Sequence, residues 1–229
     1  MTIDTAKKSY HLTEFEERVL SIIKEILKKH IVFQFDATFI DFCLQKLKVS
    51  EMEIYSAIYS LLRRKLIVPG STLTREQILE NPSRTLIFET IQKHPGIHIR
   101  ELCTTLNMSS GVVRTHLKVL ENFNYIRRKK YTTPKFVLLF LKDFPQTYDD
   151  FFLISKNEND QHIIQCLTNT QLTMTDLSSR LGLHHSTVQY HLKKLGHLDF
   201  IIPIEEKNII KYTFNKARLG ALREFLDAF

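Results

Sequence analysis

Arg114 and Lys118 stand one helical turn apart, Ser110 precedes Arg114 by another turn, and Thr115 lies beside it. On a helix these four would share one side and offer a guanidinium fork, an ammonium and two hydroxyls to whatever lies opposite. That set suits the edges of base pairs, because an arginine can bond guanine through two donors at once, while hydroxyls and a helix N-terminus hold phosphate oxygens. Shortly beyond come Arg127, Arg128, Lys129 and Lys130, with Lys135 behind them. Such a run of cations suits nucleic-acid backbone rather than bases. Further on, His185, Ser186, Gln189, Tyr190, Lys193 and Lys194 form another polar set of similar spacing. Any one of these residues could simply be solvated; the constellation is what points to duplex DNA.

The elements that would position them emerge when the chain is compared with itself. LNMSSGVVRTHLKVLENFNYI (106–126) superposes without gaps on LGLHHSTVQYHLKKLGHLDFI (181–201) at an offset of 75 residues, with identities at Val113/Val188, His116/His191, Leu117/Leu192, Lys118/Lys193 and Leu120/Leu195. A weaker copy, LKVSEMEIYSAIYSLLRRKLI (47–67), precedes them at an offset of 59. Unequal offsets exclude a solenoid of fixed period and imply three small tandem segments, 1–72, 73–145 and 146–229.

Each copy reads as the same succession. In the middle one, Asn81-Pro82 caps and starts a helix carrying Leu86, Ile87 and Ile91 toward the core, and Pro95-Gly96 ends it. A second helix covers Arg100 to Leu106. A third holds Val113, Leu117 and Leu120 inward, with Ser109 or Ser110 as its N-cap. A basic turn, RRKKYTTPK, and the apolar run FVLLFL then predict a β-hairpin. The last copy repeats this with HIIQCL, TMTDLSSRL, HSTVQYHLKKL and the hairpin FIIPIEEKNIIKYTF, while the first has helices at Thr13 to Lys29, Ala37 to Leu47 and Glu51 to Lys65 with little room for a hairpin. The expected fold class is α+β and mostly helical: tandem winged-helix domains, each a three-helix bundle plus a β-hairpin wing, behind a degenerate N-terminal copy. A final helix should bury Leu219, Leu222, Leu226 and Phe229 on one face.

Charge divides unevenly among the segments. Residues 1–72 carry 11 basic and 9 acidic side chains, 73–145 carry 12 and 6, and 146–229 carry 9 and 10. The excess therefore sits on the middle segment, which should grip DNA most strongly. The third helix of the first copy presents Glu51, Glu53, Tyr55 and Tyr59 instead, poor for phosphates and suited to a protein partner.

Other chemistries find little support. Composition is that of an ordinary globular chain, 43% hydrophobic and 25% charged, with no apolar run long enough to span a membrane. The start, MTIDTAKKSYHLTEFEERVL, lacks the apolar core of a leader, so a cytoplasmic protein is expected. Three cysteines without a C-x-x-C pair imply neither a disulfide framework nor zinc. Cys103 and Cys166 read as core residues, and His116 and His191 as partly buried residues bonded locally. His184, His185, His191 and His197 have no ligand spacing, so no metal and no cofactor is expected. No phosphate loop, nucleophile elbow or paired carboxylates occur, and no catalytic residue or enzymatic activity is expected.

The run LTREQILENPSRTLIFETIQKHPGIHIRELCTTLNMSSGVVRTHLKVLENFNYI, together with STVQYHLKKL, resembles the archaeal winged helix-turn-helix transcriptional regulators related to the ArsR and MarR groups. The resemblance covers residues 73–215. It implies sequence-specific binding of double-stranded DNA, in most cases as a homodimer. The paired cysteines of metal-responsive members are absent. A competing reading stays open, since winged helices also serve as protein-interaction scaffolds, as in ESCRT-II subunits and general transcription factors.

Overall fold

A computed structural model describes residues 11–29, 32–131 and 136–228. The chain divides into two compact units. One takes the described residues up to Thr90 together with Cys103–Arg127. The other takes Ile91–Leu102 together with the described residues from Arg128 onward.

The first three helices are α1 (Glu14–Lys28), α2 (Ala37–Leu47) and α3 (Glu51–Arg63). Side chains start them: Thr13 with Glu16 and Ser50 with Glu53 form capping boxes, and Asp36 caps α2. Val19, Ile23, Phe33, Cys43, Ile54, Ile58 and Leu61 form one buried cluster among them. Beyond α3 the described residues form no hairpin; the chain passes a left-handed Gly70 into a 3-10 segment, Arg75–Glu80. Arg64 donates to Glu16 Oε1 at 2.5 Å, tying the end of α3 to the start of α1.

Next come α4 (Pro82–Lys93), β1 (Ile97–His98), α5 (Ile99–Leu106), α6 (Ser110–Asn122), β2 (Ile126–Tyr131) and β3 (Phe136–Leu141). Asn81 Oδ1 accepts from the Arg84 amide at 3.1 Å, so the Asn-Pro start works as expected. Ile87 and Ile91 are buried, but Leu86 is exposed and Phe88 takes the inward place. Residues 87, 88 and 91 share one helical face, and Leu86 lies off it. The strands form a sheet of order β1-β3-β2. The basic run belongs to β2 rather than to a turn. As the edge strand, β2 can carry long cationic side chains that also discourage pairing with other chains.

The remainder comprises α7 (Asp149–Ser155), α8 (Glu158–Leu167), β4 (Leu172–Thr173), α9 (Met174–Leu181), α10 (His185–His197), β5 (Ile201–Glu206), β6 (Ile209–Phe214) and α11 (Leu219–Ala228). Its sheet has the order β4-β6-β5, and β5 and β6 join through Lys207 and Asn208, both at positive φ as a tight two-residue hairpin requires. From α4 to β3 and from α8 to β6 the succession is the same: helix, short strand, two helices, two strands. The molecule is thus a mostly helical α+β protein with two small antiparallel three-stranded sheets.

Helix α7 has no counterpart in the sequence reading. Its Phe151 meets Phe200 edge to face at 5.0 Å, and its Phe152 meets Phe140 and Phe225 at 5.7 and 5.0 Å. Gly96, at φ +73°, lies against Phe152 so closely that an added Cβ would come within 2.8 Å of the Phe152 Cβ. On α11, Leu219 and Leu222 pack against the core as expected, but Phe225 is buried in the place expected for Leu226, and Leu226 is exposed; Phe229 lies outside the described residues. Cys103 and Cys166 are half-buried, and Cys166 packs against the core of the second unit.

Candidate nucleic-acid interface

Helix α6 is oriented by what it buries. Val113, Leu117 and Leu120 are fully buried, and Tyr125, just past its end, donates to the Arg75 carbonyl at 2.9 Å while Arg75 stacks over its ring. Ser109 is the N-cap, accepting from the Val112 amide at 3.4 Å. The opposite face is open: Ser110, Arg114, Thr115 and Lys118 are all exposed.

Local bonding refines their roles. Arg114 Nε donates to Ser110 Oγ at 3.1 Å, which orients the guanidinium and leaves its two terminal nitrogens as a parallel pair of donors. Thr115 donates its hydroxyl back to the Gly111 carbonyl at 3.0 Å, so its methyl is the group left outward. Ser109, Ser110 and Thr115 therefore use their hydroxyls within the helix first, a use that residue type alone does not reveal. His116 is half-buried, and burial, with the charge of Arg84 as second cause, holds its imidazole below the usual range.

On β2, Arg127, Arg128 and Lys129 are half-buried and Lys130 is exposed. Lys129 lies over the Tyr131 ring at 5.4 Å and 3.8 Å from Asp150 Oδ1, while the Tyr131 hydroxyl donates to the same carboxylate at 2.8 Å. Asp150 thus moderates the positive strand, an influence hidden in the sequence because it comes from α7. Lys135 lies outside the described residues.

Helix α10 exposes His185, Ser186, Gln189, Tyr190 and Lys193. Its cap is His184, whose Nδ1 accepts from the Ser186 amide at 3.3 Å. Lys194 does not join this face; it is buried and donates to Asp160 Oδ2. His191 is also buried, and its Nδ1 donates to Asp160 Oδ1 at 2.7 Å, so its partner is on α8 rather than local. A usable signal did exist: the position aligned with Lys194 in the middle copy is Val119, and that aligned with Asp160 is Thr85. Both the acid and the base appear only in the last copy, as a buried pair must.

Among the described residues no group of three or more His, Cys, Asp or Glu side chains could hold a metal, and no helix is long and apolar enough to cross a membrane.

A helix, a short strand, two helices and a hairpin, with the third helix open on its polar side, define a winged helix-turn-helix. Residues 80–127 match the winged helix-turn-helix DNA-binding family. Over 178 residues the chain is 30% identical to an uncharacterized HTH-type transcriptional regulator of Methanocaldococcus jannaschii. That alignment takes in 76% of this chain but 44% of the relative, so the chain spans less than half of that protein's length. Among solved structures, reduced HlyU from Vibrio cholerae is 26% identical, covering 35% of this chain and 84% of its own, at a TM-score of 0.32. A MepR mutant from a multidrug-resistant S. aureus clinical isolate is 14% identical, covering 65% and 99%, at 0.27. Overoxidized AbfR bound to DNA is 17% identical, covering 67% and 97%, at 0.28.

Proposed function

We propose that this chain is a sequence-specific DNA-binding transcriptional regulator, without catalytic activity, cofactor or metal, acting on double-stranded DNA in the cytoplasm. Its segments 73–145 and 146–229 act as tandem winged-helix domains behind a degenerate copy in 1–72. In the middle segment α6 reads base edges in the major groove, with Arg114 as its principal donor pair and Ser109, Ser110, Thr115 and Lys118 around it. Arg127, Arg128, Lys129, Lys130 and Lys135 bind phosphates. In the last segment His185, Ser186, Gln189, Tyr190 and Lys193 read a second stretch; Lys194 has a structural role instead.

The observation that carries this reading is the exposed face of α6, Ser110 through Lys118, within the stretch matched to a DNA-binding family. Selecting fragments bound from random or genomic DNA tests it. A recurrent motif is expected, and recovery of no motif with the R114A variant binding as well as the natural chain would defeat it.

One observation favours a second role as a protein-interaction scaffold for the last segment. Its hairpin exposes Ile202, Ile209 and Ile210 and carries Glu205 and Glu206, a surface unsuited to phosphates.

A further inference from the structure

The outward side of α6 is not uniformly polar. Ser110, Arg114 and Lys118 follow one another at intervals of four along one flank. Beside them lie Gly111 and Thr115, and beyond these Val112. Val113 is fully buried, yet Val112 next to it is 46% exposed. Val112 and Thr115 are three residues apart and so are neighbours on the helix surface. Because the Thr115 hydroxyl donates to the Gly111 carbonyl, the methyl of Thr115 faces outward and adds to Val112 in a second, apolar flank.

Folding alone does not choose these residues. Glycine, valine and threonine are all poorer helix formers than the alanine, lysine or glutamate that a solvated position accepts. A Cβ at Gly111 would meet no atom within 4 Å beyond its chain neighbours and its own helical backbone, so packing does not require a glycine there. Its backbone is ordinary helix, so no left-handed conformation requires one either. A bare backbone serves the close approach of something outside the chain. A lone exposed valine carries no message by itself. This one borders a bare backbone and an oriented methyl, on the helix that carries Arg114. The aligned residues of the last repeat, Ser186, Thr187 and Tyr190, keep neither the glycine nor the valine.

Resting on the reading of α6 as a base-reading helix, we propose that its apolar flank recognises the C5 methyl of a pyrimidine in a base pair next to the guanine held by Arg114. In the major groove thymine, or cytosine methylated at C5, presents a methyl, whereas the other edges are marked by hydrogen-bonding atoms. The two flanks thus address adjoining pairs by different chemistry. Guanine O6 and N7 accept from Arg114, and the methyl sits against Thr115 and Val112 over Gly111, whose bare backbone lets the helix come close. An apolar protein surface would gain as much from Val112, but it would leave the cations of Arg114 and Lys118 without acceptors.

Duplexes carrying the site selected by the full chain test this, with affinity read by competition gel shift. The pair at which R114A loses discrimination marks the guanine. Replacing the thymine beside it by uracil removes one methyl and leaves every hydrogen bond of the pair; binding should weaken about 3- to 5-fold, the worth of one buried methyl. Exchanging that pair for cytosine and guanine, with and without a C5 methyl on the cytosine, separates the two sources. A gain from the methyl there shows that it is read on either base, and no gain shows that thymine is the base read; both uphold the contact. T115S loses the methyl and keeps the hydroxyl, so it should bring the ratio of thymine to uracil affinity close to one. T115V keeps a methyl and loses the hydroxyl, so it should preserve that ratio. G111A should melt no lower than the natural chain and yet bind the selected duplex several-fold more weakly, and matching melts confirm that the Thr115 variants fold. A site with no thymine or methylated cytosine beside that guanine, no penalty for uracil, or a ratio kept by T115S and lost by T115V overturns the proposal and leaves the DNA reading standing. Recovery of no selected site defeats both.

Discussion

The Nε of Arg114 donates to the hydroxyl of Ser110, one turn earlier on α6, at 3.1 Å. The bond engages one of the five guanidinium donors and leaves four, and pre-setting a long side chain reduces the entropy lost on contact. Arg114→Ala should therefore lower discrimination at one base position by about 1–3 kcal/mol, with a smaller effect on non-specific binding. Ser110→Ala should reproduce part of that loss while leaving the guanidinium present. Competition between the selected site and its single-base variants measures both.

Neutralising the basic strand should act differently. Alanine at Arg127 to Lys130 is expected to weaken binding to all duplexes about equally and to reduce the slope of log affinity against log salt by about 0.9 for each phosphate left without its cation. Asp150→Asn should work in the opposite direction, because Lys129 and Tyr131 lose the carboxylate they now share. Salt titrations of a non-specific duplex separate these outcomes.

Asp160, His191 and Lys194 form a buried polar cluster in the second unit. Removing the acid alone, as in Asp160→Ala, strands an ammonium out of water and should cost about 3–5 kcal/mol in denaturant unfolding. The double variant D160T/K194V, which copies Thr85 and Val119 of the middle repeat, should recover most of that loss. Failure of the double variant to improve on D160A would show that the charges do more than satisfy each other.

Glu16 provides a pH dependence. Burial pushes its carboxyl up, but hydrogen bonds from Ser60, the Thr13 backbone and Arg64, with the charge of Arg64, outweigh that and hold it at about 2. Its folded value lies below the ordinary 4.5. The stabilisation is therefore complete above that ordinary value and is lost as pH falls through the window toward about 2. With the side chain 11% exposed, its size is on the order of 3 kcal/mol. Urea unfolding of the natural chain and Glu16→Gln should differ most near neutral pH and converge in acid.

Much of this protein could be read from one dimension. The α6 core, Val113, Leu117 and Leu120, follows from helical spacing, and the Asn81-Pro82 start and Ser109 cap follow from short-range chemistry. Repetition at a fixed offset carried the same assignment onto α10, because positions that bury the same face keep the same residue types. The outward placement of Ser110, Arg114, Thr115 and Lys118 on α6 follows from the same spacing, and all four are exposed.

What spacing could not supply was the identity of partners far along the chain. Lys194 stood among outward cations until α8 placed Asp160 beneath it, 34 residues away. Lys129 counted as a free positive charge until α7 brought Asp150 near, and the short DDFFLIS segment gives no periodic signal of its own. Local order therefore settled which residues form each helix and which side of it is polar, since those depend on neighbours within a turn or two. Whether a charge on that side meets solvent, a nucleic acid or a buried counter-charge depended on tertiary packing, because electrostatic pairing and desolvation act across space and not along the chain.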